Sequence, residues 1–398
     1  MWRATYHPSW AVRTGVEAMT KRLLYLSVHD PHVPLTGSGV RVCAFVNSLA
    51  RRYIVDLVYL EGSGQAPDAE LSKRFASRVS GTASKYGVRF SQAKYFLFST
   101  ELYRQAAELL KTHAYDYLIC DYGFAAVYGL LLSRRFRVPF IYCSHNIEYR
   151  KYLGKVGRDF RRLPLALYMY VVERLGVTMA DLVVAASEDD AKFYTRWRDS
   201  QGTIAIPQGF DEQIFNPFYE WMPNAPQTVL FCGNFRISLN LDAVTTVMKY
   251  VLEPVLARCP GTRFRFVGGS PPRDIKHPNV EFTGFLDDYA SALKAADVVI
   301  SPMLQGWGFP TKIVEALACG KITIATPVGA RAVGSDYETL RIAEVKDFAA
   351  EICRALTAGP AVSAVDYAKV KERFSWEANI ARLAAFIDRA PSQAGRSA

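Results

Sequence analysis

Short, β-branched apolar runs alternate with longer amphipathic segments along this chain, and the series runs twice. No other feature limits the fold as strongly. A strand, a helix and a second parallel strand close a right-handed crossover. A succession of them builds a parallel sheet with helices on both faces. In the first half, KRLLYLSV (21–28), YIVDLVYL (53–60), DYLICDYG (116–123), FIYCSHN (140–146), DLVVAAS (181–187) and TIAIPQG (203–209) read as strands, with SQAKYFLF (91–98) a weaker one. Helices are expected over 40–51, 66–85 and 100–113. The pattern restarts with QTVLFCG (227–233). Strands RFRFVGG (263–269), NVEFTGFL (279–286), DVVISP (297–302) and ITIATPVG (322–329) then alternate with helices over 241–259, 289–296, 311–320, 348–359 and 375–390. Between the halves, DEQIFNPFYEWMPNAP (211–226) lacks helical period and reads as a linker. The expected fold class is therefore α/β, with two doubly wound lobes that bind ligands beyond the carboxyl ends of their strands.

Composition removes several classes. No run of about 18 residues is both apolar and free of charge, so no transmembrane helix is expected. The best candidate, LPLALYMYVVERLGVTMADLVVAA, is broken by Glu173 and Arg174. Residues 1–20 lack the apolar centre of a signal peptide. The cysteines number 7, lie far apart and form no CxxC pair, which suits reduced thiols in a cytoplasmic protein. Lys and Arg exceed Asp and Glu by 48 to 38, which favours phosphate-bearing partners or an anionic membrane surface. No nucleic-acid reading motif accompanies that charge, so nucleic acid is not an expected partner. Much of the excess falls in 150–175. This stretch reads either as a solvated helix face or as a basic, aromatic-rich surface for lipid head groups at the inner membrane face.

Three motifs carry chemistry. TGSGVRV (36–42) follows the first strand and opens a helix. Its glycines allow either an ordinary turn or close backbone approach to an anion. YCSHNIEYRKY (142–152) sets His145 and Glu148 just past a strand end, where an imidazole can hydrogen-bond a sugar hydroxyl or steady developing charge. The strongest signal is SPMLQGWGFPTKIVEALACGKITIATPVG (301–329), a strand, a Gly-rich loop and a helix. The loop and the helix N-terminus can cradle a diphosphate, with Lys312 adding positive charge. Glu315, about one turn in, can accept both hydroxyls of a ribose. The GxxxxGK[ST] signature of nucleotide triphosphatases is absent.

Taken in order, TGSGVRV, HNIEY, AASEDDA, IPQGFDEQIFNP, LFCGNF, FVGGSP, VEFTGFLDD, AADVVISPM, KIVEALACGKITIATPVG and FSWE resemble the family-4 glycosyltransferases of GT-B fold, from residue 21 to about 389. The resemblance implies two Rossmann-like lobes facing a central cleft. A flexible extension would span 1–20, the acceptor-side lobe 21–215 and the nucleotide-sugar lobe 216–373. The segment 374–398 would be a helix crossing back to the first lobe, with a loose tail. It implies hexosyl transfer from a UDP- or GDP-linked sugar to a glycan or lipid-linked acceptor in polysaccharide biosynthesis. Configuration would be retained, and neither metal nor cofactor would be needed. The catalytic positions would be His145 and Lys312. Donor contacts would come from Gly39, Gly233, Arg236, Gly268, Phe282, Thr283, Gly284, Gly308, Phe309, Pro310, Thr311 and Glu315. Glu148 and Asp121 would serve the acceptor side or the scaffold. The family's usual E-G-F-G-x-x-x-x-E departs here, with Trp307 at the first Glu and Pro310 at the second Gly. Asn234 and Asn240 stand where the family has Arg and Lys. Two other roles fit the same lobes: a non-catalytic partner subunit, and a sugar phosphorylase or synthase.

Overall fold

The computed structural model describes residues 21–30, 37–61, 84–89, 98–156, 160–218, 226–286, 288–305, 309–359 and 363–389. The first sheet has seven parallel strands: β1 (Arg22–Ser27), β2 (Ile54–Glu61), β3 (Ser84–Arg89), β4 (Tyr117–Asp121), β5 (Phe140–Cys143), β6 (Leu182–Ala185) and β7 (Thr203–Ala205). Their spatial order is β3-β2-β1-β4-β5-β6-β7. The second has six: β8 (Thr228–Cys232), β9 (Arg263–Val267), β10 (Val280–Gly284), β11 (Val298–Ser301), β12 (Ile322–Ala325) and β13 (Leu340–Ile342), in the order β10-β9-β8-β11-β12-β13. Each order reverses once, between β1 and β4 and again between β8 and β11. At such a reversal the loops from neighbouring strand ends diverge and leave a crevice.

Central strands buried on both faces read as continuous apolar runs. β4, β5 and β6 are fully buried along their length. The helix Trp376–Ile387 does not stay with the second sheet. Its Ile380, Leu383, Ala384 and Ile387 enter the core of the first sheet beside Leu23, Tyr25 and Phe45. Ser375 starts that helix by accepting from the Ala378 N–H. The Trp376 ring meets Phe45 edge-on at 5.7 Å and covers Gly209, where a Cβ would lie 2.6 Å from the indole. The Asn379 amide donates to the Pro207 carbonyl, a further tie between the chain's end and the strand end of the first lobe.

Two expectations need correction. A strand runs over Ser84–Arg89, so residues 84–85 belong to it rather than to a helix. Most of the expected helix 66–85 and most of 91–98 lie outside the described residues, as does the extension 1–20. The helix expected over 241–259 is two pieces, Ser238–Tyr250 and Leu252–Leu256. Pro254 cannot continue the hydrogen-bond ladder of the first piece. Among the described residues, no helix is long and apolar enough to cross a membrane.

Candidate active site

The first crevice is built around Asp121, the last residue of β4. It is fully buried and lies 3.0 Å from His145 Nε2 through both carboxylate oxygens. Burial alone would raise the Asp121 carboxyl. The charge and hydrogen bond of His145, with Arg41 and His29 behind them, outweigh it and hold the carboxyl below its usual range. With Asp121 accepting from Nε2–H, the neutral His145 ring carries its lone pair on Nδ1. Two residues past β1, His29 lies 6.1 Å from His145, nearly parallel to it, and meets Tyr122 edge-on at 4.7 Å. Burial and the neighbouring His145 push the His29 imidazole down to about 4, so it stays neutral near pH 7. Tyr122 follows Asp121 with φ at +82°, a conformation costly for a bulky residue that clusters at functional sites.

A second layer fixes these groups. Glu148 is fully buried, 3.3 Å from Lys151, and Lys151 also donates to the Tyr122 hydroxyl. Glu173 accepts from the backbone N–H groups of Glu148 and Tyr149 and from the Tyr194 hydroxyl. Burial raises the Glu173 carboxyl to about 7 against those donors. Gly39, also buried, lies in the first turn of the helix Gly37–Leu49 that follows β1.

The second crevice gathers Gly233, Gly268, Lys312 and Glu315. Gly233 follows β8, and its N–H donates to the Val267 carbonyl. Gly268 follows β9 at φ +145°, where a Cβ would sit 1.9 Å from the Gly233 carbonyl oxygen. Only glycine allows the two strand ends to approach this closely. Gly268→Ala is therefore expected to lower the thermal midpoint by several degrees, since backbone strain of about 1–3 kcal/mol adds to the overlap. A melt matching that of the native protein would show that the two strand ends can part freely.

Lys312 and Glu315 lie on the helix Thr311–Ala318, whose N-terminus follows Phe309 and Pro310. Lys312 Nζ donates to Asn240 Oδ1 at 3.2 Å and lies 4.5 Å from the centre of the Phe231 ring. Burial lowers its pKa against the pull of Cys232 and Glu315. Burial raises the Glu315 carboxyl to about 8, opposed by the Tyr289 hydroxyl and Lys312. A cation and a carboxylate one turn apart on the helix thus lie beside two close-packed strand ends. Such an arrangement can hold an anion and a diol together.

Not every expected donor residue joins this group. Arg236 is exposed, and its N–H is held by the Asn234 side chain. Phe282 stacks on Phe266 at 4.9 Å and meets Phe235 edge-on, so much of its ring packs against its own lobe. Thr283 and Gly284 end β10. Gly308 and Trp307 lie outside the described residues. Asn240, Tyr289, His29 and Tyr122 were not among the expected site residues. His29 carried one signal, its place just past the first strand. Tyr122 carried another, beside Asp121 at the end of a strand, and Asn240 stands where the family has Lys; Tyr289 carried none.

Comparison with known proteins defines the class first. The model described as Glycosyltransferase Family 4 matches residues 35–213, and that described as Glycosyl transferases group 1 matches residues 226–358. The chain belongs to this glycosyltransferase family, and its two sheets are the lobes of the GT-B fold. Phosphatidyl-myo-inositol mannosyltransferase of Mycolicibacterium smegmatis is 30% identical over a segment covering 36% of this chain and 39% of that protein. D-inositol 3-phosphate glycosyltransferase of the same organism is 24% identical over 94% of this chain and 92% of that protein. Among solved structures, sucrose-phosphate synthase from Thermosynechococcus elongatus shares the fold with a TM-score of 0.67 at 20% identity, over 93% of this chain and 98% of that one. Anabaena HepE in complex with UDP does so at 0.66 and 16%, over 93% and 100%.

Proposed function

We propose that the protein transfers a hexosyl group from a UDP- or GDP-linked sugar to a glycan or lipid-linked acceptor on the cytoplasmic side, with retention and without a metal. The observation that carries this reading is the placement of Lys312 and Glu315 one turn apart at the β8/β11 reversal. Lys312 and the positive end of its helix meet the diphosphate, and Glu315 takes the ribose hydroxyls. His145, held by Asp121, meets the donor sugar from the other lobe. The name of the mannosyltransferase relative supports a hexosyl donor, and the names of both relatives support an inositol-bearing acceptor, in one case a lipid.

The acceptor oxygen approaches on the face from which the diphosphate departs. The bond from the anomeric carbon to the diphosphate breaks, the new glycosidic bond forms, and the acceptor proton passes to the leaving phosphate. The protein contributes position and charge stabilisation rather than a covalent intermediate.

Calorimetry with UDP, GDP and ADP tests the donor site. Glu315→Ala is expected to weaken the preferred nucleotide by about 1.5–3 kcal/mol, the scale of a charged hydrogen bond. Because the free carboxyl titrates at about 8 and a diol needs it ionised, binding expels a proton. Affinity should therefore rise with pH as Glu315 ionises through about 8. Glu315→Gln should flatten the rising limb. Unchanged affinity in Glu315→Ala would move the nucleotide elsewhere. Failure of every nucleotide to bind would favour the non-catalytic partner subunit.

A further inference from the structure

The helix Leu163–Met179 has two working faces. Inward, Glu173 holds the Glu148 and Tyr149 N–H groups, in the turn that follows His145. Outward, Leu163, Leu167, Val171, Leu175 and Met179 recur every fourth residue and are each between 38% and 57% exposed. Phe160, just before the helix, is 77% exposed. Five solvated aliphatic side chains on one helix, continued by an aromatic ring, form an apolar face that single exposed residues do not explain. Arg161 and Arg162 are exposed at its start, and Arg134 reaches the Met179 sulfur at its end. The described residues of 126–137 and 150–180 include one carboxylate, Glu173, and it is buried. An apolar stripe between arginines, with no exposed carboxylate among the described residues of 126–137 and 150–180, is complementary to a surface that offers both hydrocarbon and negative charge.

We infer that this face docks on an anionic lipid bilayer. A second copy of the chain fits worse, because a two-fold contact would set the arginines of one copy against those of the other. The helix lies along the surface, its aliphatic side chains in the acyl boundary and its arginines among phosphate head groups. Through Glu173 the lipid-facing element is bonded directly to the His145 loop, so docking brings the acceptor side of the site to the bilayer. The inference rests on the transferase reading for its purpose, since a lipid-linked acceptor is met there. The docking itself is measured separately.

The test is co-sedimentation of the full chain with phosphatidylcholine vesicles, with and without phosphatidylglycerol. Binding is expected only to the anionic vesicles, and it should weaken as salt rises. The double substitution Leu167→Glu/Val171→Glu should reduce binding by about tenfold or more, and so should Arg161→Gln/Arg162→Gln. All four positions are exposed, so both variants should melt like the native protein and bind nucleotide unchanged. Equal binding to neutral vesicles, or none to anionic ones, overturns the proposal. So does a dimer in sedimentation velocity that Leu167→Glu/Val171→Glu abolishes. Vesicle binding without nucleotide binding would instead defeat the transferase reading and leave the docking face standing.

Discussion

Lys312→Met is expected to lower kcat/KM for sugar transfer by about 10²–10³, the usual consequence of removing one group that stabilises charge on a leaving group. Lys312 reaches back from its helix to Asn240 and sits against the Phe231 ring, so its charge is held where water is scarce. Burial already disfavours that charge in the free protein. A diphosphate arriving there would repay the desolvation, and more so as negative charge grows on the leaving oxygen. The effect should therefore fall mainly on kcat. The thermal midpoint provides the control. Removing a partly buried cation relieves a desolvation cost while leaving Glu315 without its neighbour, and these changes oppose each other. Lost activity with a near-native melt is the expected pair of results. A large fall in the melting temperature with proportionate loss of activity would make Lys312 a structural residue.

Asp121→Asn should lower kcat by about 10²–10⁴, as expected when a histidine loses the carboxylate that sets its tautomer. In the proposed reaction Asp121 serves as a positioning residue, since it touches His145 and is fully buried. An Asn amide can donate to Nε2 and drive the proton to Nδ1, which reverses what the neutral ring presents to the donor sugar. Nucleotide affinity, which the proposed function assigns to the other lobe, should stay within about twofold, well under the tenfold that 1.4 kcal/mol represents. A steady-state comparison at saturating donor, paired with calorimetry on UDP or GDP, separates the two. Wild-type kcat in the variant would remove His145 from the chemistry. A parallel loss of nucleotide affinity would indicate that the substitution damages the fold.

The strands were legible because each central one is buried on both faces and so reads as an uninterrupted apolar run. β1, β4 and β5 fall within a residue or two of the expected spans at their starts. The strand Ser84–Arg89 carries little signal because it is polar and lies at the sheet edge, where no second neighbour demands apolar side chains. The helix Ala364–Phe374 was missed for a related reason. Charged residues break up its apolar positions, and it is anchored by Ser363 and by the buried Asp366, which takes the N–H groups of Glu338 and Thr339. Lys312 and Glu315 could be read as a pair because one turn of helix brings positions three apart to the same side.

By itself, then, the sequence determined the α/β class and the twofold repetition, and it put glycines and polar groups at strand ends, since these follow from local periodicity and motif order. The tertiary structure alone decided which of those groups meet. It set Asp121 on His145 and stacked His29 alongside. It brought Asn240 to Lys312 over 72 residues of chain and folded the last helix into the first lobe's core. It also turned the even run Leu163, Leu167, Val171, Leu175 and Met179 outward, although apolar residues at that spacing ordinarily mark a core face. The physical reason is that burial is shared among elements. Gly176 and Glu173 hold the inner side of that helix, and only the packing of its neighbours shows which side is left uncovered.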